Sequence, residues 1–118
     1  MQTENKLFTY EAKESVLEIK LLGEIDHHSA VSVRSDIDGL IFEHRPKKVV
    51  LELSSISFMD SSGLGLIMGR YGLIKDLGGT LLLRSPTAAV MKILTLAGME
   101  RMIKIENAIK EDGINEKN

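Results

Sequence analysis

Apolar and polar residues alternate with a period of two near the start of the chain. The alternation is regular over Val16–Leu21 and weaker over Leu7–Ala12, which predicts two half-buried strands. The polar pair Lys13-Glu14 lies between them and can form a turn. We therefore expect these strands to pair as a hairpin.

Further along, two runs are apolar enough to lie inside a sheet. They are Lys48–Leu53 and Thr80–Leu83, and such nearly continuous apolar runs are typical of buried parallel strands. Before, between and after these runs, three sets of mostly apolar residues recur at the spacing of an α-helix. The sets are Ala30, Val33, Ile37, Leu40, Ile41 and His44; Leu64, Ile67, Met68, Tyr71 and Ile74; and Ala89, Val90, Ile93, Leu94 and Ala97.

Capping residues bound the first two predicted helices. Asp26 or Ser29 can cap the start of the first, and Pro46 ends it. The pair Gly78-Gly79 ends the second, because a helix commonly closes with a residue in the left-handed conformation.

The third helix has its own boundary signals. Ser85 is expected as its N-cap, Pro86 as its first helical residue and Gly98 as its end. Met102–Ile105 predicts a last short strand, and Asn107–Glu111 predicts a last helical turn or two.

Strands that alternate with helices indicate an α/β fold with right-handed crossovers. Including the hairpin, we expect a mixed, mostly parallel sheet of four to five strands packed with about four helices. The 118 residues have room for one domain. We expect that domain to span 1–118, with its core over about 7–111 and a frayed tail over 112–118.

Composition narrows the class of function. The chain has no cysteine, which excludes disulfides and thiolate chemistry and fits a reducing cytoplasm. Its net charge is −2, and two Tyr, three Phe and no Trp offer little for stacking on bases, so nucleic-acid binding is disfavoured. The polar N-terminus is unlike a signal peptide, and no apolar run approaches the roughly 18 residues of a membrane span.

The segment Phe58–Gly65 stands apart chemically, because a buried strand passes into a helix there. Backbone N–H groups at a helix start lack intrahelical partners, and Ser61, Ser62, Gly63 and Gly65 make the turn accessible. A phosphate on Ser61 would meet the positive end of the helix dipole. The same residues also suit a plain capping turn, since Asp and Ser are common N-caps, and the residues alone leave both interpretations open.

Catalytic interpretations of this segment fail on spacing. A nucleophile elbow needs glycine two residues before its serine, but Met59 and Asp60 occupy that position for Ser61 and Ser62. The glycine spacing also misses the dinucleotide and P-loop patterns. We expect no enzyme activity and no cofactor, while a passive nucleotide-binding domain stays open because helix N-termini attract phosphates.

A second cluster, Asp26-His27-His28, does not complete a metal site. No third ligand lies at a helical or strand offset from the two histidines. We expect no metal, and assign these side chains to a surface or capping role.

Two stretches resemble a known family. Gly23–His28 and Phe58–Tyr71 are similar to motifs of the STAS-domain anti-anti-sigma factors, most of all to those that act in sporulation. The resemblance runs over about Leu7–Ile105. A general-stress or an orphan antagonist of the same family remains an alternative.

The resemblance implies a binding switch. The unphosphorylated protein would bind an anti-sigma factor that is also a serine kinase, and so free the sigma factor. The kinase would phosphorylate the serine directly after the motif's aspartate, here Ser61, and a phosphatase would reverse this. Asp26 matches the family's aspartate before the first helix, which lines the partner surface. The antagonist itself would be a cytoplasmic monomer without catalytic activity.

We therefore expect the partner surface to combine both motifs. Its predicted members are Asp26, His27, Met59, Asp60, Ser61, Ser62, Gly63, Leu64 and Gly65.

Overall fold

Strands and helices alternate along residues 7–107, the part of the chain that the computed structural model describes. The strands are β1 Phe8–Lys13, β2 Val16–Leu21, β3 Gly23–Ile25, β4 Lys48–Glu52, β5 Ile56–Met59, β6 Thr80–Arg84 and β7 Lys104–Glu106. The helices are α1 His27–His44, α2 Ser61–Asp76 and α3 Ala88–Leu96, with a 3-10 turn at Met99–Arg101. Each strand and helix predicted within this range corresponds to one of these elements, with ends shifted by a few residues.

The main sheet has five strands in the order β1-β2-β4-β6-β7. β1 and β2 form the predicted antiparallel hairpin, and the other three neighbouring pairs are parallel, so the sheet is mixed. One face of the sheet joins the apolar stripes of the helices in a single core. Its strand members are Leu17, Ile19, Leu21, Val49, Leu51, Leu81 and Leu83, and its helix members include Val33, Ile37, Ile41, Leu66, Ile67, Ile74, Val90 and Leu94.

A separate two-stranded ribbon, in which β3 pairs in parallel with β5, is not predicted from the sequence. Three or four residues contain too few alternations to show a period of two, so both segments resemble turns. The pairing places Ile25 opposite Met59, and both side chains are buried. The ribbon matters because α1 and α2 begin directly after its two strands.

The number of helices is corrected. About four were expected, and residues 7–107 contain three α-helices and one 3-10 turn. The predicted turn over Asn107–Glu111 lies outside the described residues, apart from Asn107 itself.

The N-cap of α3 also differs from the prediction. Thr87 caps the helix, accepting the Val90 N–H at 3.2 Å. Ser85 instead takes a left-handed backbone, with φ of 57°, and donates its N–H to the Glu106 carbonyl at 2.7 Å. The backbone of Ser85 is thus used to join the ends of β6 and β7, which leaves the capping position to Thr87.

An ion pair fastens α1 to α2. Arg70 is the buried charged residue of the described range, with 6% of its surface exposed. Its Nε lies 2.7 Å from Asp38 Oδ1, and its Nη1 donates to the Leu66 carbonyl at 3.1 Å. Burial lowers the pKa of Arg70 from its ordinary value, and the charge of Asp38 opposes that shift. Without Asp38 the guanidinium would remain buried with no carboxylate to compensate it.

Asp38→Ala should therefore lower the free energy of unfolding by about 2–4 kcal/mol, since it leaves the buried charge of Arg70 without a partner. Arg70→Met removes the charge and keeps an apolar chain in its place, so it should cost clearly less. Urea unfolding at neutral pH measures both. Equal losses in the two variants would show that the charge pairing contributes little.

Candidate functional site

Two helix N-termini meet at one edge of the β3–β5 ribbon. The strands run parallel, and each is followed at once by an aspartate and then by a helix. Because Ile25 is opposite Met59, the next residues, Asp26 and Asp60, stand at the same edge. The backbone N–H of Asp60 donates to the Ile25 carbonyl at 3.3 Å. The sheet pairing therefore brings the positive ends of α1 and α2 together.

Ser61 is the first residue of α2, and it is exposed. The N-cap of the helix is Asp60, whose Oδ1 accepts the Ser62 N–H at 2.8 Å. Within residues 7–107 the Ser61 hydroxyl makes no hydrogen bond. Since Asp60 does the capping, the hydroxyl of Ser61 is free to react without unravelling the helix start.

Asp26 caps α1 through a reciprocal arrangement with Ser29. The Asp26 Oδ1 accepts the Ser29 N–H at 3.0 Å, and the Ser29 hydroxyl accepts the Asp26 N–H at 2.9 Å. Both predicted candidates for the cap therefore take part in it. The Ser29 hydroxyl also donates to the Glu24 carbonyl at 2.8 Å, which ties the helix start to β3.

The capping bond has an electrostatic consequence. The backbone N–H of Ser29, more than any other group, lowers the pKa of Asp26 below its ordinary value. A carboxyl with a depressed pKa stabilises the fold above its unfolded pKa of about 3.9, and that contribution is lost as the pH falls through the folded value. At neutral pH Asp26 is therefore anionic and holds α1 in place at the ribbon edge.

The surroundings of the two glycines in the loop, Gly63 and Gly65, differ. Gly63 is buried, and a Cβ there would overlap the side chain of Met59. Gly65 is exposed, and a Cβ there would meet nothing within 4 Å. The need for a small residue at Gly63 is thus internal to the fold, whereas no neighbour among residues 7–107 requires glycine at position 65.

The remaining predicted contact residues divide by exposure. His27 is exposed at the first residue of α1, whereas Asp60, Ser62 and Leu64 are half-buried. Met59 is buried beneath the loop with 4% exposed. Met59, like Gly63, can therefore act on a partner only by supporting the loop, while the exposed residues can touch it directly.

Further exposed surface adjoins the predicted contact residues along α2 and β5. Gly69 and Gly72 follow Gly65 along α2, and a Cβ at either would also meet nothing within 4 Å. Phe58, on β5 just before the loop, has 51% of its surface exposed. Their spacing of four and three residues places the glycines on one side of the helix, which is the signal that could have identified them.

Two classes of site are not seen in the described range. Over residues 7–107 no group of three His, Asp or Glu side chains is arranged to hold a metal ion. Among the same residues, no helix combines the length and the apolar character needed to cross a membrane.

The fold and the two motifs match one family of known proteins. The profile of the STAS domain matches residues 8–111. This chain belongs to the STAS domain family. It is 39% identical over 90 residues to the anti-sigma F factor antagonist of Paenibacillus polymyxa, covering 76% of this chain and 77% of that protein.

Solved structures agree with this assignment. The unphosphorylated form of the anti-sigma factor antagonist SpoIIAA superposes with a TM-score of 0.74 at 28% identity, covering 91% of this chain and 95% of that one. The phosphorylated form of SpoIIAA from Bacillus gives 0.68 at 28% identity, with 88% and 95% covered. The predicted resemblance to the STAS-domain antagonists is confirmed.

The contrast between the two glycines can be tested by stability. Gly63→Ala should lower the free energy of unfolding by about 1–3 kcal/mol, because the methyl group overpacks against Met59. Gly65→Ala, the matched control, should raise it by up to about 1 kcal/mol, since alanine is the better helix former in open space. Urea unfolding of both variants measures the difference. Changes of the same sign would contradict the assigned environments.

Proposed function

We propose that this chain is an anti-sigma factor antagonist that works as a phosphorylatable binding switch. Unphosphorylated, it binds an anti-sigma factor that is also a serine kinase, and so frees the sigma factor. Phosphorylation of Ser61 ends the binding, and a phosphatase restores it. The observation that carries this proposal is the Ser61 hydroxyl at the first residue of α2, which is exposed and makes no hydrogen bond to any residue in the described range 7–107.

The chain supplies an acceptor and the partner supplies the catalysis. The Ser61 Oγ attacks the γ-phosphorus of ATP in the kinase site, the hydroxyl proton passes to a base of the kinase, and ADP leaves. Such a transfer depends on positioning. A hydroxyl on the first turn of a capped helix, beside a second capped helix, is well held for it.

Charge at the ribbon edge favours a cationic partner surface. Asp26 and Asp60 both cap helices there, and each directly follows one of the two paired strands, with Ser61 next to Asp60 in the chain. Complementary charge speeds encounter and fixes the orientation of a complex. Such a partner surface would be matched to these two carboxylates and would not compensate an additional dianion on Ser61.

Close approach is possible along α2. The open sides of Gly65, Gly69 and Gly72 expose helix backbone to a partner without side chains in between. Beyond the acceptor, this strip and the exposed ring of Phe58 offer contact area. The chain would act on this partner in the cytoplasm, where ATP and sigma factors are found, and as a monomer when free.

The first test concerns the acceptor. Incubation with the partner kinase and ATP should add one phosphate, which mass spectrometry should locate on Ser61. Ser61→Ala should abolish the modification. It should leave partner binding largely intact, because the substitution removes only an exposed hydroxyl. Ser62→Ala is the matched control and should still take phosphate at Ser61. Phosphate found on Ser62 of the unaltered protein would contradict the assignment.

The phosphate is expected to act at the interface and leave the fold intact. It adds roughly −1.5 to −2 charges at neutral pH and gains about 0.3–1 kcal/mol from the N-terminus of α2. At a separation of about 6 Å in a water-like dielectric, Asp60 would repel a dianion by about 1.4 kcal/mol. These terms nearly cancel in the free protein, where the phosphate faces solvent. In the complex the phosphate is desolvated, and an unmatched buried charge costs several kcal/mol.

Phosphorylation of Ser61 should therefore change the free energy of unfolding by less than about 2 kcal/mol while raising the Kd for the partner more than about 30-fold. Urea unfolding and calorimetric titration of the two forms measure these quantities. Backbone NMR shifts should be confined to the surroundings of Asp26 and to 58–66. Shifts spread through α3 and the main sheet would instead show a global conformational change.

A further inference from the structure

A groove lies at the end of the molecule remote from Ser61. It has a volume of about 540 Å³ and opens between the last turns of α2 and the amino-terminal ends of β4, β6 and β7. Ser61 begins α2 and Lys75 lies in its last turn, so the length of this helix, about 24 Å at 1.5 Å per residue, separates the groove from the acceptor. Its size is within the roughly 300–1,000 Å³ typical of small-molecule sites. The groove is thus independent of the proposed switch.

Three lysines from three elements surround the groove. Lys48 begins β4, Lys104 begins β7 and Lys75 belongs to α2. Within residues 7–107 none of their ammonium groups forms an ion pair with a carboxylate. The acid that lines the groove, Glu106, is already engaged by Arg84 at 3.4 Å. Although the net charge of the whole chain is −2, the lining of this groove has a local excess of positive charge.

The floor and one rim of the groove are apolar. Ile74 and Leu81 line it from the side of the main core and Leu82 from the opposite face of the sheet, and all three are buried. Met102 stands at the rim with 48% of its surface exposed, and Tyr71 lies with Lys75 over its ring at 5.7 Å from the centroid. Ligand pockets are typically apolar with a few polar groups that fix the orientation.

The register of the sheet explains how charge and apolar surface come together. Lys48 pairs with Thr80 and Lys104 pairs with Leu82, so these four side chains share the face of the sheet opposite the main core. The Thr80 hydroxyl makes no hydrogen bond among residues 7–107. One anionic head could therefore be met by ammonium groups and a hydroxyl, while an attached apolar body rests on Leu82 and Met102.

We propose that this groove binds a single-chain amphipathic anion, that is, an unbranched apolar chain with a carboxylate or phosphate head. The head lies between Lys48, Lys75 and Lys104, and the chain lies along Leu82 towards Met102. The C-terminal carbonyls of α2 are partly negative and oppose an anion, and Lys75 in that last turn offsets them. Like charges held around one concavity repel each other, and an anion bound between them relieves that repulsion.

Octanoate is a suitable probe, because it is soluble as a monomer and carries both parts of the predicted ligand. Titration into the ¹⁵N-labelled full chain should give saturable shifts confined to the surroundings of Lys48, to 71–82 and to 102–106. Acetate, which lacks the chain, and 1-octanol, which lacks the charge, should each bind at least about tenfold more weakly. Shifts centred on Ser61, or equal binding of all three compounds, would overturn the proposal.

Variants separate the two parts of the site. The triple variant Lys48→Gln, Lys75→Gln, Lys104→Gln should weaken octanoate binding about tenfold or more, since each exposed charge contact contributes a few-fold. The control is Lys92→Gln, an exposed lysine on α3 outside the groove, which should leave the affinity unchanged. Met102→Gln should weaken octanoate binding but leave that of acetate unchanged. Retained octanoate affinity in the triple variant would refute the charge assignment.

A further experiment distinguishes a free ligand from a membrane surface, since either can present an anion with an apolar chain. Co-sedimentation with phosphatidylglycerol vesicles should show no binding, because the groove accommodates a single chain below the protein surface. Binding to vesicles without saturable binding of octanoate would overturn the proposal in favour of a lipid-surface contact. Phosphorylation at Ser61 should proceed in the triple variant as in the unaltered chain, so the outcome is independent of the proposed switch.

Discussion

The parallel pairing of β3 with β5 is the interaction on which the rest of the site depends. It is only a few residues long, yet it sets Ile25 against Met59 and so places two capping aspartates at one edge. Each aspartate begins a helix that then runs over the main sheet and joins its core. Without this pairing, α1 and α2 would still have apolar faces to bury, but nothing would bring their N-termini into register around Ser61.

The electrostatics of the site follow from that arrangement. Two converging helix ends place partial positive charge in one small region, and Asp26 and Asp60 balance it in the unphosphorylated chain. Because Asp60 satisfies the Ser62 N–H, the hydroxyl of Ser61, the proposed acceptor, is not needed for the cap and makes no hydrogen bond within residues 7–107. A phosphate added there meets helix ends that attract it and carboxylates that repel it. The expected net effect on the fold is small, so the proposed modification would act on whatever binds this edge.

Periodicity predicted the longer elements well, since Val16–Leu21 and the stripes of α1, α2 and α3 repeat often enough to show their period. It failed where the physical cause is not local. β3 and β5 are strands because they pair with each other. The charge of the buried Arg70 is compensated by Asp38, which belongs to another helix. The loop around Ser61 was identified from its residue types and family resemblance. The different roles of Gly63 and Gly65 needed the position of the Met59 side chain.

The open face of α2 is the strongest indication that this surface meets another molecule. Gly65, Gly69 and Gly72 each cost the helix about 0.5–1 kcal/mol relative to alanine, and no neighbour within the described chain requires any of them to be small. The helix tolerates this because Asp60 caps its start, Arg70 ties its middle to α1, and its opposite face lies in the core. Since no described neighbour requires glycine at these positions, the proposed binding of a partner would supply a reason for them outside the molecule. A partner backbone that approaches α2 directly beside Ser61 is the simplest such reason.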